Sequence, residues 1–496
     1  MQKSIILITV DCLRADHCGF MDYPRPNTPF LDELSKESFI FPAAIAAGVP
    51  TYYSLPAIIA SRHALALGRE VIGLSPDEPT LASVLKENGF ATACFGAGNP
   101  YLSARFGYDH GFDTFRDFLD GSAHEADIEP ERPPSLRLAS RANRRIAEIA
   151  SRSPVLTGIY EELYFQYCQS TRSPVSSFDT MRRFPSADVI VDQARSWLIA
   201  NRNRPFFLWL HLMDPHAPYY PAEKALQLCE SSRVSASEAR NLNFFWARHN
   251  LGSDRLRRKR KQIVSLYDAG VRWVDEQIRR LAGFLRQFRL WDSCVLALTA
   301  DHGEAFLEHE RRFHAPALSE ELIRVPLVLR VPGVRKIDVS EAAFSLLHLA
   351  PTLLEIADLP IPTSFQGQSH WPHIHDGTSW NSPALSECIT GCTNPFELKQ
   401  RFGARLLAVR EARYKLVVDC LAGCEQLYDL QTDPGEYNPL PIHTASEARS
   451  RLLQAAFTHL WNTSTQEKTS SYLRARLRQL VIDLPRPLKN ADYAIA

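Results

Sequence analysis

The chain has 496 residues, of which 45% are hydrophobic and 23% charged. That is ordinary for a soluble globular protein and ample for a large core and more than one domain. Lys+Arg and Asp+Glu both number 56, so no global field directs the protein to nucleic acid or to a membrane surface, and no nucleic-acid partner is expected. The 10 cysteines form no small-scaffold disulfide pattern.

The first stretch, MQKSIILITVDCLRAD, has an apolar run too short for a signal peptide and no small-residue cleavage site. It reads as a core strand, Ile5 to Val10, ending at Asp11. No run approaches the length of a membrane span, so the expected compartment is the cytoplasm. Thr28 to Glu37 reads as a helix with Asp32, Glu33 and Lys36 on its polar side. Gly48 to Arg62 is a glycine-proline turn followed by a small apolar helix, with Thr51 just before its helical part. Thr80 to Asn88 is an amphipathic helix stopped by Gly89, and Ala91 to Gly96 is the next strand. This alternation predicts a mainly parallel sheet with helices on both faces.

Residues from about 120 to 187 are rich in Arg, Ser and Pro, with a basic helical stretch from Arg137 to Arg152. They read as an inserted excursion, a candidate lid. Phe206 to Leu212 is again a buried strand, and it delivers His211, Asp214 and His216. A second excursion spans about 222 to 262 and ends in the basic run Arg255 to Lys261, which reads as a solvated helix face. Ser265 to Phe288 is a long amphipathic helix. It leads into Val295 to Thr299, a short apolar, partly β-branched run that ends on Asp301-His302-Gly303-Glu304. Val325 to Val331 is a further buried strand.

The character changes after about Gly377. Tyr414 to Val418 and Gln426 to Leu430 form a predicted hairpin around Ala422-Gly423, and Ala445 to Asn462 an amphipathic helix. Residues 1–377 are therefore expected to form the main domain and 378–496 a smaller α+β subdomain. The C-x3-C pairs Cys388/Cys392 and Cys420/Cys424 miss the C-x2-C spacing usual for zinc and read as reduced cysteines in strands and a hairpin.

Chemistry-bearing residues fall at the ends of these elements: Asp11, Thr51, the His211/Asp214/His216 group and Asp301-His302, with His314 close behind. In open α/β sheets ligands sit beyond the carboxyl ends of the strands. Carboxylate and imidazole together suit zinc or manganese, and carboxylate-rich sites suit calcium or magnesium. A cation there lowers the pKa of a hydroxyl and stabilises charge on a transferred group. Thr51 at a helix N-terminus faces free N–H groups, which favours an anionic partner such as phosphate or sulfate. Taken singly each residue has a structural explanation: Thr51 an N-cap, Asp11 a turn cap, His216 a loop residue between prolines. Together they predict metal-assisted transfer of an anionic ester group onto or from Thr51.

Several segments in order, ITVDCLRADHCG with NTPFLDELSKES, DHGEAFLEHERRFHA with EELIRVPLVLRVPG, APTLLEIADLP, and YKLVVD with LYDLQTDPGEYNPL, resemble the sulfatase family of the alkaline phosphatase superfamily. The resemblance implies an α/β/α sandwich with a C-terminal antiparallel subdomain, and hydrolysis of sulfate or phosphate esters at a metal site. By this resemblance Asp11 matches the first metal aspartate, with Cys12 where sulfatases usually carry a second. Asp301 and His302 match the next ligand positions. His216 in DPHAPY matches a histidine that contacts the ester or leaving group, and His314 stands where sulfatases carry lysine.

The departure is at the nucleophile. Sulfatases carry Cys or Ser in C/S-x-P-x-R, converted to formylglycine, whereas the aligned stretch here is Thr51-Tyr52-Tyr53-Ser54-Leu55. Threonine cannot give that aldehyde, so no formylglycine is expected. The predicted catalytic set is Thr51, His216 and His314. The predicted ligands of a divalent cation (Ca, Mg, Mn or Zn) are Asp11, Asp301, His302 and Thr51, with Cys12 and Asp214 as further candidates and one metal preferred to two. The expected activity is hydrolysis or group transfer of a phosphoester. A sulfatase without formylglycine and a non-catalytic sulfatase-like binding protein are the alternatives. The partner is an anionic ester, and the two basic segments are consistent with one held under a lid.

Overall fold

The computed structural model describes residues 3–119, 177–229, 234–249, 251–334 and 341–463, with the single positions 163 and 339. The predicted helix from Arg137 to Arg152 lies outside them.

The central sheet is built from β1 (Ser4–Val10), β2 (Phe39–Ile40), β3 (Ala91–Gly96), β4 (Thr114–Arg116), β5 (Phe206–Leu212), β6 (Cys294–Ala300) and β7 (Leu327–Arg330). From edge to edge the order is β2-β7-β6-β1-β5-β3-β4. The strands from β6 to β4 run parallel, and β7 runs antiparallel to both its neighbours. Every residue of β1, β5 and β6 is buried. This is why they read as continuous apolar runs: a parallel sheet is covered on both faces.

The helices form two layers. On one side α1 (Pro29–Leu34), α4 (Ala187–Asn201), α5 (Glu223–Leu228) and α6 (Ala236–Trp246) pack around α7 (Ser253–Gln287). On the other, α2 (Thr51–Ala60), α3 (Leu81–Glu87) and α8 (Leu349–Ile356) pack on one another. A capping box between Thr80 and Ser83 starts α3, with both reciprocal bonds at 2.9 Å. The result is an α/β/α sandwich with a mainly parallel sheet.

Helix α7 begins 12 residues earlier than the predicted Ser265. The basic run Arg255 to Lys261, read as a solvated face, forms its first turns. Leu256 and Ile263 are buried on its inner side, and Arg257 pairs with Asp254 at 3.0 Å. Arg260 departs from that reading by reaching Glu308 at 2.9 Å. The second excursion is therefore largely helical, as α5, α6 and the start of α7.

The smaller sheet is antiparallel, in the order β8 (Ala384–Ile389), β9 (Arg405–Arg410), β10 (Tyr414–Asp419), β11 (Cys424–Asp429), with α9 (Ser446–Thr463) packed on β9 and β10. Cys388 and Cys392 lie in the apolar cluster that also holds Tyr52 and Tyr53, and Cys420 lies in the cluster under α9. The residues beside Thr51 thus share a core with the small sheet.

Candidate active site

The strands β6, β1, β5 and β3 are neighbours, and each ends on a polar residue of one cluster. Asp301 follows β6, Asp11 follows β1, His216 follows β5, and Asn99 lies just beyond β3. Val10 is in register with both Ala300 and Leu212, so Asp11 and Asp301 emerge side by side.

Asp11 is fully buried. Its Oδ2 accepts from Asn99 Nδ2 at 2.8 Å and lies 3.5 Å from His211 Nε2. Burial pushes this carboxyl up, but His216, His211 and His302 around it more than offset that and hold it well below the usual carboxylate range. His211 is fixed from behind by Thr9 Oγ1 at 2.8 Å, which itself accepts from Trp209 Nε1 at 2.9 Å.

Thr51 is the first residue of α2, not a residue just before it, and is 3% exposed. Its Oγ1 lies 3.1 Å from His302 Nε2 and 3.4 Å from Asp11 Oδ2. His302 Nδ1 is 2.9 Å from the carbonyl of Gly303. A carbonyl only accepts, so Nδ1 carries a proton and Nε2 is the ring atom turned to the Thr51 hydroxyl. Ser54, one turn along α2, donates to the Asp301 carbonyl at 2.6 Å, tying the helix to β6. Gly303 is needed for close approach: a Cβ there would lie 2.0 Å from the Glu321 carbonyl.

Asp301 accepts at Oδ1 from the His302 N–H at 3.0 Å. Its Oδ2 is buried and has no hydrogen-bond partner among the described residues. One ligand atom from each of Asp11, Asp301 and His302 lies within 4.8 Å of the others. Two buried carboxylates, one with an orphaned oxygen, facing an imidazole lone pair fit a divalent cation.

The predicted His216 and His314 stand beside this group, with ring centres 4.8 Å apart. His216 Nδ1 donates to the Ala217 carbonyl at 2.5 Å, and burial lowers its pKa against the pull of Asp11. Burial also works against charging His314, but the Glu304 carboxylate at 2.7 Å, helped by Asp11 and Asp301, carries it up to about 9. Glu304 accepts in turn from the Tyr219 hydroxyl. Cys12 Sγ donates to Asp11 Oδ1 at 2.9 Å.

Asp214, a predicted candidate ligand, is not brought to the cluster. Its Oδ1 receives Arg182 Nη2 at 2.6 Å and its Oδ2 the Ala187 N–H at 2.9 Å. It therefore anchors the start of α4. Asn99 and Glu304 are the site residues that the sequence reading did not assign.

A cavity of about 680 Å³ opens over Thr51, lined among others by Tyr52, Tyr101, Arg183, Phe184, His216 and His314. None of the residues Arg255 to Lys261 lines it. Among the described residues no helix is long and apolar enough to cross a membrane.

A family described as sulfatase matches residues 3–359, and one described as N-sulphoglucosamine sulphohydrolase, C-terminal, matches residues 308–462. Arylsulfatase K of Canis lupus familiaris is 26% identical over 276 residues, covering 49% of this chain and 50% of that protein. The chain thus spans about half the length of that relative. The multifunctional alkaline phosphatase superfamily protein PehA of Trinickia caryophylli is 22% identical, with 96% of this chain and 98% of that protein covered. The phosphonate monoester hydrolase of Agrobacterium radiobacter has a similar structure, with a TM-score of 0.64 at 18% identity over 96% of each chain. A protein solved with its substrate D-glucosamine-2-N,6-O-disulfate gives 0.67 at 18% identity, covering 94% of this chain and 99% of that one. The family match over most of the chain makes this protein a member of the sulfatase family.

Proposed function

We propose that the protein is a metal-dependent phosphoester hydrolase or phospho-group transferase with Thr51 as its nucleophile. The observation that carries this reading is the Thr51 hydroxyl, 3.1 Å from His302 Nε2 and 3.4 Å from Asp11 Oδ2 beneath an open cavity. Asp11, Asp301, His302 and Thr51 Oγ1 would hold the cation. When bound, such a cation lowers the pKa of the hydroxyl and neutralises charge on the transferred group.

In the proposed reaction Thr51 loses its hydroxyl proton to water in the cavity and its oxygen attacks phosphorus. The bond from phosphorus to the leaving oxygen breaks, and that oxygen takes a proton from His314, whose charged form Glu304 favours, with His216 beside it. Water or an acceptor alcohol then attacks the phosphothreonine, returning a proton to His314 as the phosphorus–oxygen bond to Thr51 breaks, and the Thr51 oxygen takes a proton back from water. The N-terminal end of α2 favours the anionic group of the ester.

The sulfatase family match supports a second reading, release of sulfate without formylglycine. Hydrolysis of p-nitrophenyl sulfate, p-nitrophenyl phosphate and bis-p-nitrophenyl phosphate by wild type and Thr51→Ala, with metal content assayed on the same samples, separates the two. Phosphate-ester turnover that needs both Thr51 and the cation supports the first. Sulfate turnover alone supports the second. Absence of both turnover and metal would make the chain a non-catalytic member.

A further inference from the structure

Cys12 places a thiol beside the carboxylates and imidazole that would hold a cation. The side chain is fully buried. Its backbone has φ 61°, a left-handed conformation uncommon for a residue with a Cβ. Neighbours hold that conformation: the Cys12 carbonyl accepts from the Tyr267 hydroxyl at 2.7 Å, and the Cys12 N–H points to Asp301 Oδ1 at 3.4 Å. The strained turn aims Sγ into the site, 2.9 Å from Asp11 Oδ1 and 3.3 Å from His314 Nδ1. Cys12 Sγ forms one close triad with His302 and His314 and another with Asp11 and His216, the donor atoms in each lying within 4.8 Å of one another. Independently, Asp301 Oδ2 in the same cluster is buried with no hydrogen-bond partner among the described residues, only His302 Nε2 standing 3.5 Å away, which points to a missing positive charge.

We propose that Cys12 Sγ is a thiolate ligand of the cation held by Asp11, Asp301 and His302, and that it selects zinc or a similar transition metal over calcium and magnesium. This rests on the reading that those three residues hold a cation. On binding, the S–H bond breaks, a sulfur–metal bond forms and the proton leaves to water; in the cation-free protein the thiol donates to Asp11 Oδ1. Carboxylate and imidazole alone leave the choice of metal open, whereas a thiolate disfavours the hard cations.

The test uses the full chain, stripped with a chelator and reloaded with Co²⁺, and reads absorption rather than activity. Wild type is expected to show visible cobalt bands together with a near-ultraviolet thiolate-to-cobalt charge-transfer band. Cys12→Ser should keep the visible bands and lose the charge-transfer band. Cys12→Asp, which also serves if the serine variant does not fold, should lose the same band and lower the zinc-over-calcium affinity ratio by about 10-fold or more. Visible bands without charge transfer in the wild type overturn thiolate ligation and leave the cation reading standing. A charge-transfer band that survives in either Cys12 variant overturns it also. Failure of the wild type to bind stoichiometric Co²⁺ overturns both.

Discussion

Asn99 Nδ2 donates to Asp11 Oδ2 at 2.8 Å, and the same oxygen lies 3.4 Å from the Thr51 hydroxyl. One amide on a loop beyond β3 thus orients a carboxylate beyond β1 toward the proposed nucleophile. Asn99→Ala is expected to weaken cation affinity by roughly 10- to 100-fold, the usual effect of losing such a supporting contact. Calorimetric titration of the stripped protein measures it, and an unchanged affinity would remove Asn99 from the site.

Thr51→Ala removes the oxygen on which the proposed chemistry depends, and ester turnover should fall on the order of 10³-fold or more. Thr51→Ser keeps a hydroxyl and should retain measurable turnover. Mass spectrometry of rapidly quenched wild type should find phosphate on Thr51. Turnover in Thr51→Ala equal to that of wild type would exclude the threonine as nucleophile.

Gly303 is packed so closely that a Cβ would lie 2.0 Å from the Glu321 carbonyl. Gly303→Ala must displace backbone beside His302, with an expected destabilisation of about 1–3 kcal/mol. Denaturant unfolding checks the stability, and cobalt binding checks the displacement of His302. A variant as stable as wild type would show that the turn relaxes freely.

Asp275, on α7, accepts the N–H groups of Phe30 at 3.0 Å and Leu31 at 2.9 Å. Burial nevertheless outweighs these bonds and Arg272 and raises its carboxyl to about 7. The unfolded carboxyl titrates near 3.9. Between about pH 4 and 7 the folded chain therefore keeps a proton that the unfolded chain has lost. This group's contribution is largest below about pH 4 and falls as pH rises to 7, by up to about 4 kcal/mol. Asp275→Asn lacks this titration, so the stability gap between wild type and variant should narrow across that window. A gap that stays constant or widens would show that Asp275 is ionised throughout.

Most of the candidate cluster was legible because its residues follow uninterrupted buried strands. Asp11 and Asp301 are each the first polar residue after such a run, and Thr51 stands at the turn into an apolar helix. Asn99 was missed because Gly-Asn-Pro reads as turn chemistry. The signal lay in its position three residues past a strand of the parallel sheet rather than in its residue type. Asp214 was misleading for a complementary reason: its partners, Arg182 and the N–H of Ala187, come from a remote part of the chain that spacing does not reveal. The early start of α7 escaped notice because its first turns are charged nearly all round, so periodicity is weak where Gly252 and Asp254 set the boundary.

The adjacency of β6, β1, β5 and β3 has a consequence for how such a protein can diversify. The ladder between neighbouring strands acts as a ruler, because it fixes the distance between strand ends near 4.8 Å whatever the length of chain that joins them. Described residues of the connections from β4 to α4 and from β5 to α7, among them Arg183, Phe184 and His249, line the cavity, so those connections can change without moving the strand ends. Substrate choice can be rewritten in those connections while the spacing of Asp11 and Asp301 stays as the hydrogen-bonded sheet sets it.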